Sequence, residues 1–173
     1  MKTLIAYYSF SGNNETLAKE LQKRIDCDIF KIEAVSRRSW LSIWLDLIFD
    51  RMPAIRFTPF SLAEYDRVIC IAPIWASKIA APLKTFLNSE KDKIKEYSFI
   101  TVCGGASGQV EKIEKQLTDI VGKKPYSIAE LWISSLPQGK KETIKFKVNQ
   151  SDLDAFENQI QDFMKSQSTY SKA

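Results

Sequence analysis

Short, β-branched apolar runs alternate along this chain with segments whose apolar residues recur every three or four positions. Runs at 4–8, 29–32, 68–72, 99–102 and 128–133 each end in polar or turn residues, which predicts strands. Between them, Leu17/Leu21/Ile25, Ile79/Leu83/Phe86/Leu87 and Val110/Ile113/Leu117/Ile120/Val121 carry helical spacing. A last helix is marked by Ser151 as its cap, with Asp154 three positions on, followed by Leu153, Phe156, Ile160, Phe163 and Met164. Regular alternation of strand and helix predicts βαβ units. The nearly continuous apolar strands predict a parallel sheet covered on both faces. The expected organisation is one domain over residues 1–167 with a polar tail at 168–173.

One segment breaks this rhythm. Residues 37–52 are dense in bulky apolar groups: Trp40, Trp44, Leu47, Ile48 and Arg51 share one helical face, while Leu41, Ile43, Leu45 and Phe49 spread around the rest. A helix that is apolar nearly all round is either buried or presents a surface to a partner, a ligand or a membrane interface. Packing on the sheet, as the crossover after the second strand, is the expectation for it.

With 45% hydrophobic and 27% charged residues, the composition is that of a water-soluble globular domain, and no stretch is long and apolar enough to span a bilayer. The first residues turn polar by Ser9, too soon for a secretory core, so a cytoplasmic protein is expected. Cys27, Cys70 and Cys103 lie far apart, which indicates neither a disulfide framework nor a zinc site and predicts buried free thiols. The chain contains no histidine, which excludes imidazole bases and His-dependent nucleophile pairs, and no catalytic side chain or metal set is assigned. A net charge of +4 is mild and dispersed, so nothing argues for nucleic-acid binding.

Chemistry is concentrated in three loops that follow predicted strands. The first, Ser9-Phe10-Ser11-Gly12-Asn13-Asn14-Glu15-Thr16, leads into a helix whose first N–H groups lack intrahelical partners. Ser9, Ser11, Asn13, Asn14 and Thr16 can donate hydrogen bonds without adding charge, and Gly12 permits a tight turn, which together suit a phosphate. The same residues also suit an ordinary helix cap. The second loop is Ala72-Pro73-Ile74-Trp75-Ala76-Ser77-Lys78; the third is Cys103-Gly104-Gly105-Ala106-Ser107-Gly108. In an open parallel sheet ligands bind at the carboxyl ends of strands, where the winding direction reverses. An anion nest, a rigid aromatic loop and a bare glycine loop at that place suit a phosphorylated aromatic cofactor.

Here the sequence resembles the flavodoxin family, especially its short flavodoxin-like members. The resemblance covers about residues 1–135. It rests on the Ser-x-Ser-Gly-Asn loop, on Tyr65-Asp66-Arg67-Val68 followed by Pro73-Ile74-Trp75-Ala76 and Pro82-Leu83-Lys84-Thr85-Phe86-Leu87, and on the Gly-Gly loop. It implies a flavodoxin-like three-layer α/β/α sandwich with a five-stranded parallel sheet. It further implies that Ser9, Ser11, Gly12, Asn13, Asn14 and Thr16 hold the phosphate of flavin mononucleotide (FMN). Pro73, Ile74, Trp75 and Ala76 match the second flavin loop, with Trp75 against the ring, and Cys103, Gly104, Gly105 and Ala106 match the third. The chain departs from the family at Asn14, where threonine is usual. Its third loop lacks the acidic residue and tyrosine of many electron-transfer flavodoxins, and its net charge is positive where theirs is strongly negative.

The function implied is that of an FMN-binding redox protein, active in electron transfer or as an FMN-dependent oxidoreductase. Its partners would be a redox protein or a small electron acceptor such as a quinone, with NAD(P)H as reductant and Trp40 and Trp44 walling the substrate pocket if it is an enzyme. The alternative is a flavodoxin-shaped binding or scaffold protein that holds no flavin and uses the apolar 40–52 segment. Lys78 is expected at the solvated surface, or facing an anionic partner; Cys103 is expected as a packed thiol.

Overall fold

The computed structural model of the chain describes residues 1–104, 108–136, 139 and 146–169. Five strands, β1 (Thr3–Tyr7), β2 (Asp28–Lys31), β3 (Arg67–Ile71), β6 (Tyr97–Cys103) and β7 (Ile128–Trp132), form one sheet in the order β2-β1-β3-β6-β7. Every pairing is parallel: Ile5 lies beside Ile29 on one side and Ile69 on the other, and Ile100 beside Ile71 and Ala129. Two further short strands, β4 (Ile74–Trp75) and β5 (Lys78–Ile79), form a separate antiparallel hairpin. All five expected strands are present. The sheet order is that of a doubly wound fold whose direction reverses between β1 and β3.

Side chains along a strand alternate between faces, so the continuous apolar runs feed two cores. Leu4, Ala6, Val68, Cys70 and Phe99 face one layer, with Leu83 and Phe86 from α3 (Ala81–Glu90) and Ile113 and Leu117 from α4 (Val110–Val121). Ile5, Ile69, Ile71, Ile100 and Val102 face the other, against Leu17 and Leu21 of α1 (Asn13–Arg24). That second layer is completed by Leu153 of α5 (Gln150–Asp154) and by Ile160 and Phe163 of α6 (Glu157–Thr169). Helices therefore cover both faces of the sheet, as the strand pattern requires.

Several local expectations change. Ile79 belongs to the hairpin, not to the helix that follows, because Pro82 favours the first turn of α3 and sets its start at Ala81. The C-terminal helix is capped by Asn149, not Ser151. The Asn149 carboxamide accepts from the Asp152 N–H at 3.1 Å, and the Asp152 carboxylate accepts from the Asn149 N–H at 2.9 Å. Ser151 lies one residue inside the helix and donates its hydroxyl to the Asn149 side chain at 2.7 Å. Residues 170–173 of the expected tail lie outside the described residues, and α6 runs to Thr169.

The apolar segment departs furthest from expectation. It forms α2 (Trp40–Phe49), a helix that packs on α3 and the β4–β5 hairpin instead of the sheet, and buries only Ile43 and Asp46. Its charged residue, Asp46, points inward. Arg38, just before the helix, forms an ion pair with Asp46, and its charge acts on the Tyr8 hydroxyl just past β1. Lys78 donates to the Leu47 carbonyl at 2.6 Å, and Lys84 pairs with Asp50, so two cations hold the negative end of the helix. Lys78 is thus part of this anchor, not a free surface charge. Burial selects charged groups only when they find partners, and here they find them beneath the helix. Among the described residues no helix is long and apolar enough to cross a membrane.

Candidate functional site

β1 ends at Tyr7, and the chain turns through Ser9–Gly12 into α1. Gly12 caps the helix with φ of 99°, a left-handed conformation that L side chains rarely adopt, so glycine is required there. The turn closes on itself: the Gly12 N–H donates to the Ser9 hydroxyl at 3.1 Å, and the Thr16 hydroxyl donates to the Gly12 carbonyl at 3.2 Å. Ser9 and Thr16 therefore shape the loop from within. No side chain caps α1, and the N–H groups of its first turn lack intrahelical acceptors.

The two asparagines are anchors. Asn13 donates to the Phe146 carbonyl at 2.9 Å and accepts from the Val148 N–H at 3.0 Å. Asn14 donates to the Val102 carbonyl at 3.1 Å and accepts from the Val102 N–H at 2.9 Å. Both carboxamides are committed to backbone, so any anion at this loop meets their main-chain N–H groups instead of their side chains. The Asn13 bonds bring residues 146–148 alongside the loop, and the Lys147 ammonium donates to the Ser11 carbonyl at 2.9 Å. That lysine supplies the positive side chain that the loop itself lacks.

Beyond the loop lies a cleft of about 410 Å³, within the usual range for small-molecule sites. The phosphate-loop candidates Ser11, Asn13 and Asn14 border one end. Pro73, Ile74, Trp75 and Ala76 form a wall, and Cys103 and Gly104 an edge. Gly105 and Ala106 lie outside the described residues. The half-buried Trp75 ring meets Tyr8 and Phe10 edge-on, with centroids 6.4 Å and 6.0 Å away, and Phe10 meets Trp40 at 4.9 Å. Trp75 is therefore a cleft wall seated on an aromatic chain. Its position is fixed by the β4–β5 turn, where Ala76 (φ 49°) and Ser77 (φ 59°) are both left-handed, the primed geometry of two-residue hairpins.

The electrostatics favour an anion at the loop end. Hydrogen bonds from Lys19 at 2.7 Å and Lys31 at 3.1 Å neutralise Glu15 in the first turn of α1 and hold its carboxyl below the ordinary range. Burial pushes the Tyr8 hydroxyl up, and Arg38 opposes that shift. Burial also pushes the Cys70 thiol up to about 12 and the half-buried Cys27 up to about 11. Neither of these thiols is a nucleophile at neutral pH. None of the three cysteines is in a disulfide; Cys70 and Cys103 are buried, while Cys27 is only partly so.

Sequence reading missed Phe10 and Lys147. The alternation of Phe146 and Val148 about Lys147 is the signal that could have drawn attention to that segment. What it does not encode is the partner, which the carboxamide of Asn13 supplies across the fold.

No protein-family model matches the chain, and no curated protein is similar enough in sequence to count as a relative. Solved structures do share its architecture. A flavoprotein from Lactobacillus acidophilus NCFM, in complex with FMN, is 23% identical, with a TM-score of 0.65 over 81% of this chain and 99% of its own. A candidate flavoprotein from Bacteroides uniformis ATCC 8492 is 22% identical, with a TM-score of 0.65 over 84% of this chain and 98% of its own. A flavodoxin from Streptococcus pneumoniae TIGR4 is 11% identical, with a TM-score of 0.54 over the full length of both chains. At these identities the likeness speaks for architecture, and with the parallel order β2-β1-β3-β6-β7 it establishes a flavodoxin-like fold.

Proposed function

We propose that the chain binds FMN in the cleft at the β1/β3 reversal and works as a flavin redox protein. The observation that carries this reading is the pairing of a cationic cradle with an aromatic wall. Asn13 and Asn14 of the first turn of α1 border the cleft, the Lys147 ammonium bonds the carbonyl of the cleft-lining Ser11 from outside the lining, and Trp75 forms part of the wall. A phosphate suits the first end because unpaired N–H groups, the helix dipole and an ammonium all favour negative charge. A flat ring suits the second because an indole offers a large polarizable face.

The donor set fits the cofactor. Main-chain N–H groups of Asn13 and Asn14, the Ser11 hydroxyl and Lys147 would hold the phosphate. Trp75 and Ala76 would border the ring on one side and Cys103 and Gly104 on the other. When bound, FMN supplies the redox chemistry, exchanging electrons with a donor and an acceptor. The side chains position it, exclude water from the buried end and leave the open rim to a partner. That partner is a redox protein or a small acceptor, and NAD(P)H is the reductant if the protein is an oxidoreductase. The Lactobacillus acidophilus flavoprotein of the same fold, in complex with FMN, supports the choice of flavin.

The test is the visible spectrum of purified protein after addition of FMN and removal of the unbound fraction. Retained flavin bands are expected, and Lys147→Glu is expected to weaken retention by about tenfold or more, the equivalent of about 1.4 kcal/mol. Anaerobic NADPH then separates an enzyme, whose bands bleach, from a carrier, whose bands persist. A protein that retains no flavin would return the function to a flavin-free binding role.

A further inference from the structure

The helix α2 is turned inside out. A surface helix ordinarily buries its apolar stripe and exposes its charges. Here the charged Asp46 is buried and ion-paired, while Trp40, Leu41, Trp44, Ile48, Phe49 and Met52 are each 45–66% exposed. At 3.6 residues per turn, the five of these on the helix span roughly half of its circumference. Phe57, just beyond, is 91% exposed. The whole excursion stands on a short antiparallel stem: the Val35 N–H donates to the Ala54 carbonyl, and the Arg56 N–H to the Glu33 carbonyl.

Charge identifies what covers this face. Asp46 and Asp50 are paired with Arg38 and Lys84. Arg37 before the helix and Arg51 after it are exposed, and among the described residues neither has a carboxylate within ion-pair distance. Arg37 stands at the positive end of the helix dipole, where a cation gains nothing from the fold. Two tryptophans on a convex apolar face, with arginines at both ends, match the requirements of an anionic bilayer surface: rings at the headgroup level and cations against lipid phosphates. A second copy is a poor occupant. Pairing two α2 helices antiparallel would set Arg37 against Arg51, and pairing them parallel would set each arginine against its counterpart.

We infer that the outward face of α2 docks the protein onto membranes rich in anionic phospholipid. Trp40 belongs both to this face and to the cleft lining, so the mouth of the cleft would lie at the bilayer surface. If the flavin reading holds, the acceptor is then a molecule dissolved in the membrane. That consequence rests on the proposed function; the docking does not.

Cosedimentation of the full chain with vesicles tests it, without added flavin. The protein is expected to pellet with vesicles of phosphatidylcholine and phosphatidylglycerol in equal parts, and to remain largely in the supernatant with phosphatidylcholine alone. Leu41→Glu with Ile48→Glu, both at exposed positions, is expected to abolish binding. Arg37→Glu with Arg51→Glu is expected to reduce it about tenfold or more. A thermal melt of each variant reports that the fold is intact, and retention of FMN, measured separately, judges the flavin reading by itself. Failure of the unaltered protein to pellet would overturn the inference. So would a dimer at sedimentation equilibrium that Leu41→Glu with Ile48→Glu dissociates, because the face would then belong to a second copy.

Discussion

The carboxamide of Asn14 pairs with both backbone groups of Val102, as a neighbouring strand would. The ladder between β3 and β6 ends at Ile71 and Ile100, while β6 continues to Cys103 beside β7. Val102 therefore has an N–H and a carbonyl left over in a buried place, and a side-chain amide is the group able to satisfy both. This pair also fixes the start of α1 relative to the cleft edge.

Asn14→Leu is expected to lower stability by about 2–4 kcal/mol, because it strands two buried backbone groups. Asn14→Thr, which offers one hydroxyl at shorter reach, is expected to cost less than the leucine but not to restore the native value. Urea denaturation midpoints at constant slope check both.

The turn beneath Trp75 carries the next expectation. Ala76 and Ser77 hold left-handed backbone without being glycine, which costs about 1 kcal/mol each. Ser77→Gly is expected to raise stability by about 0.5–1 kcal/mol, since Gln116 binds the Ser77 carbonyl, which the substitution keeps. Ser77→Val is expected to lower it by more than that. Thermal melts of the two variants decide the matter.

Beneath α2, Arg38 and Asp46 are a nearly buried pair, with side chains 12% and 8% exposed. Asp46→Ala leaves a cation without its partner, and a loss of about 3–5 kcal/mol is expected. Arg38→Met with Asp46→Leu removes both charges and is expected to recover most of that loss. A double-mutant cycle in denaturant measures the coupling.

Glu130 supplies a pH dependence. Its carboxylate accepts from the Trp132 indole N–H at 3.1 Å, but its second oxygen is buried with no partner among the described residues. Burial raises the pKa above the ordinary value, against the opposing hydrogen bond. The folded state therefore binds this proton more tightly than the unfolded chain. The group's contribution to stability is fully present below the ordinary carboxylate value and is lost as pH rises through the raised one. Glu130→Gln is expected to melt higher than the parent at pH 7, with the difference shrinking as pH falls through the raised value and gone below the ordinary carboxylate value. A series of melts across that range reads the sign directly.

Periodicity alone determined the strands, the helices α1, α3 and α4 and the two-sided sheet, because burial on both faces forces Leu4 to Tyr7 and Val68 to Ile71 to be apolar at every position. It also marked the loops that border the cleft, because the strands they follow end there. Tertiary structure decided the rest. Asn13 and Asn14 read as donors to an anion, yet contacts more than eighty residues distant along the chain turned their side chains into braces, a pairing that no local pattern records. Lys147 entered the site only because the Asn13 brace holds Phe146 and Val148 beside it. The direction faced by α2 was decided the same way. A helix apolar almost all round has no preferred side by hydrophobicity, and the buried partners of Asp46 and Asp50, Arg38 and Lys84, determine which side turns in. Where the solvent preference of a side chain settles its place, sequence is enough; where two distant groups must satisfy each other, only the folded chain decides.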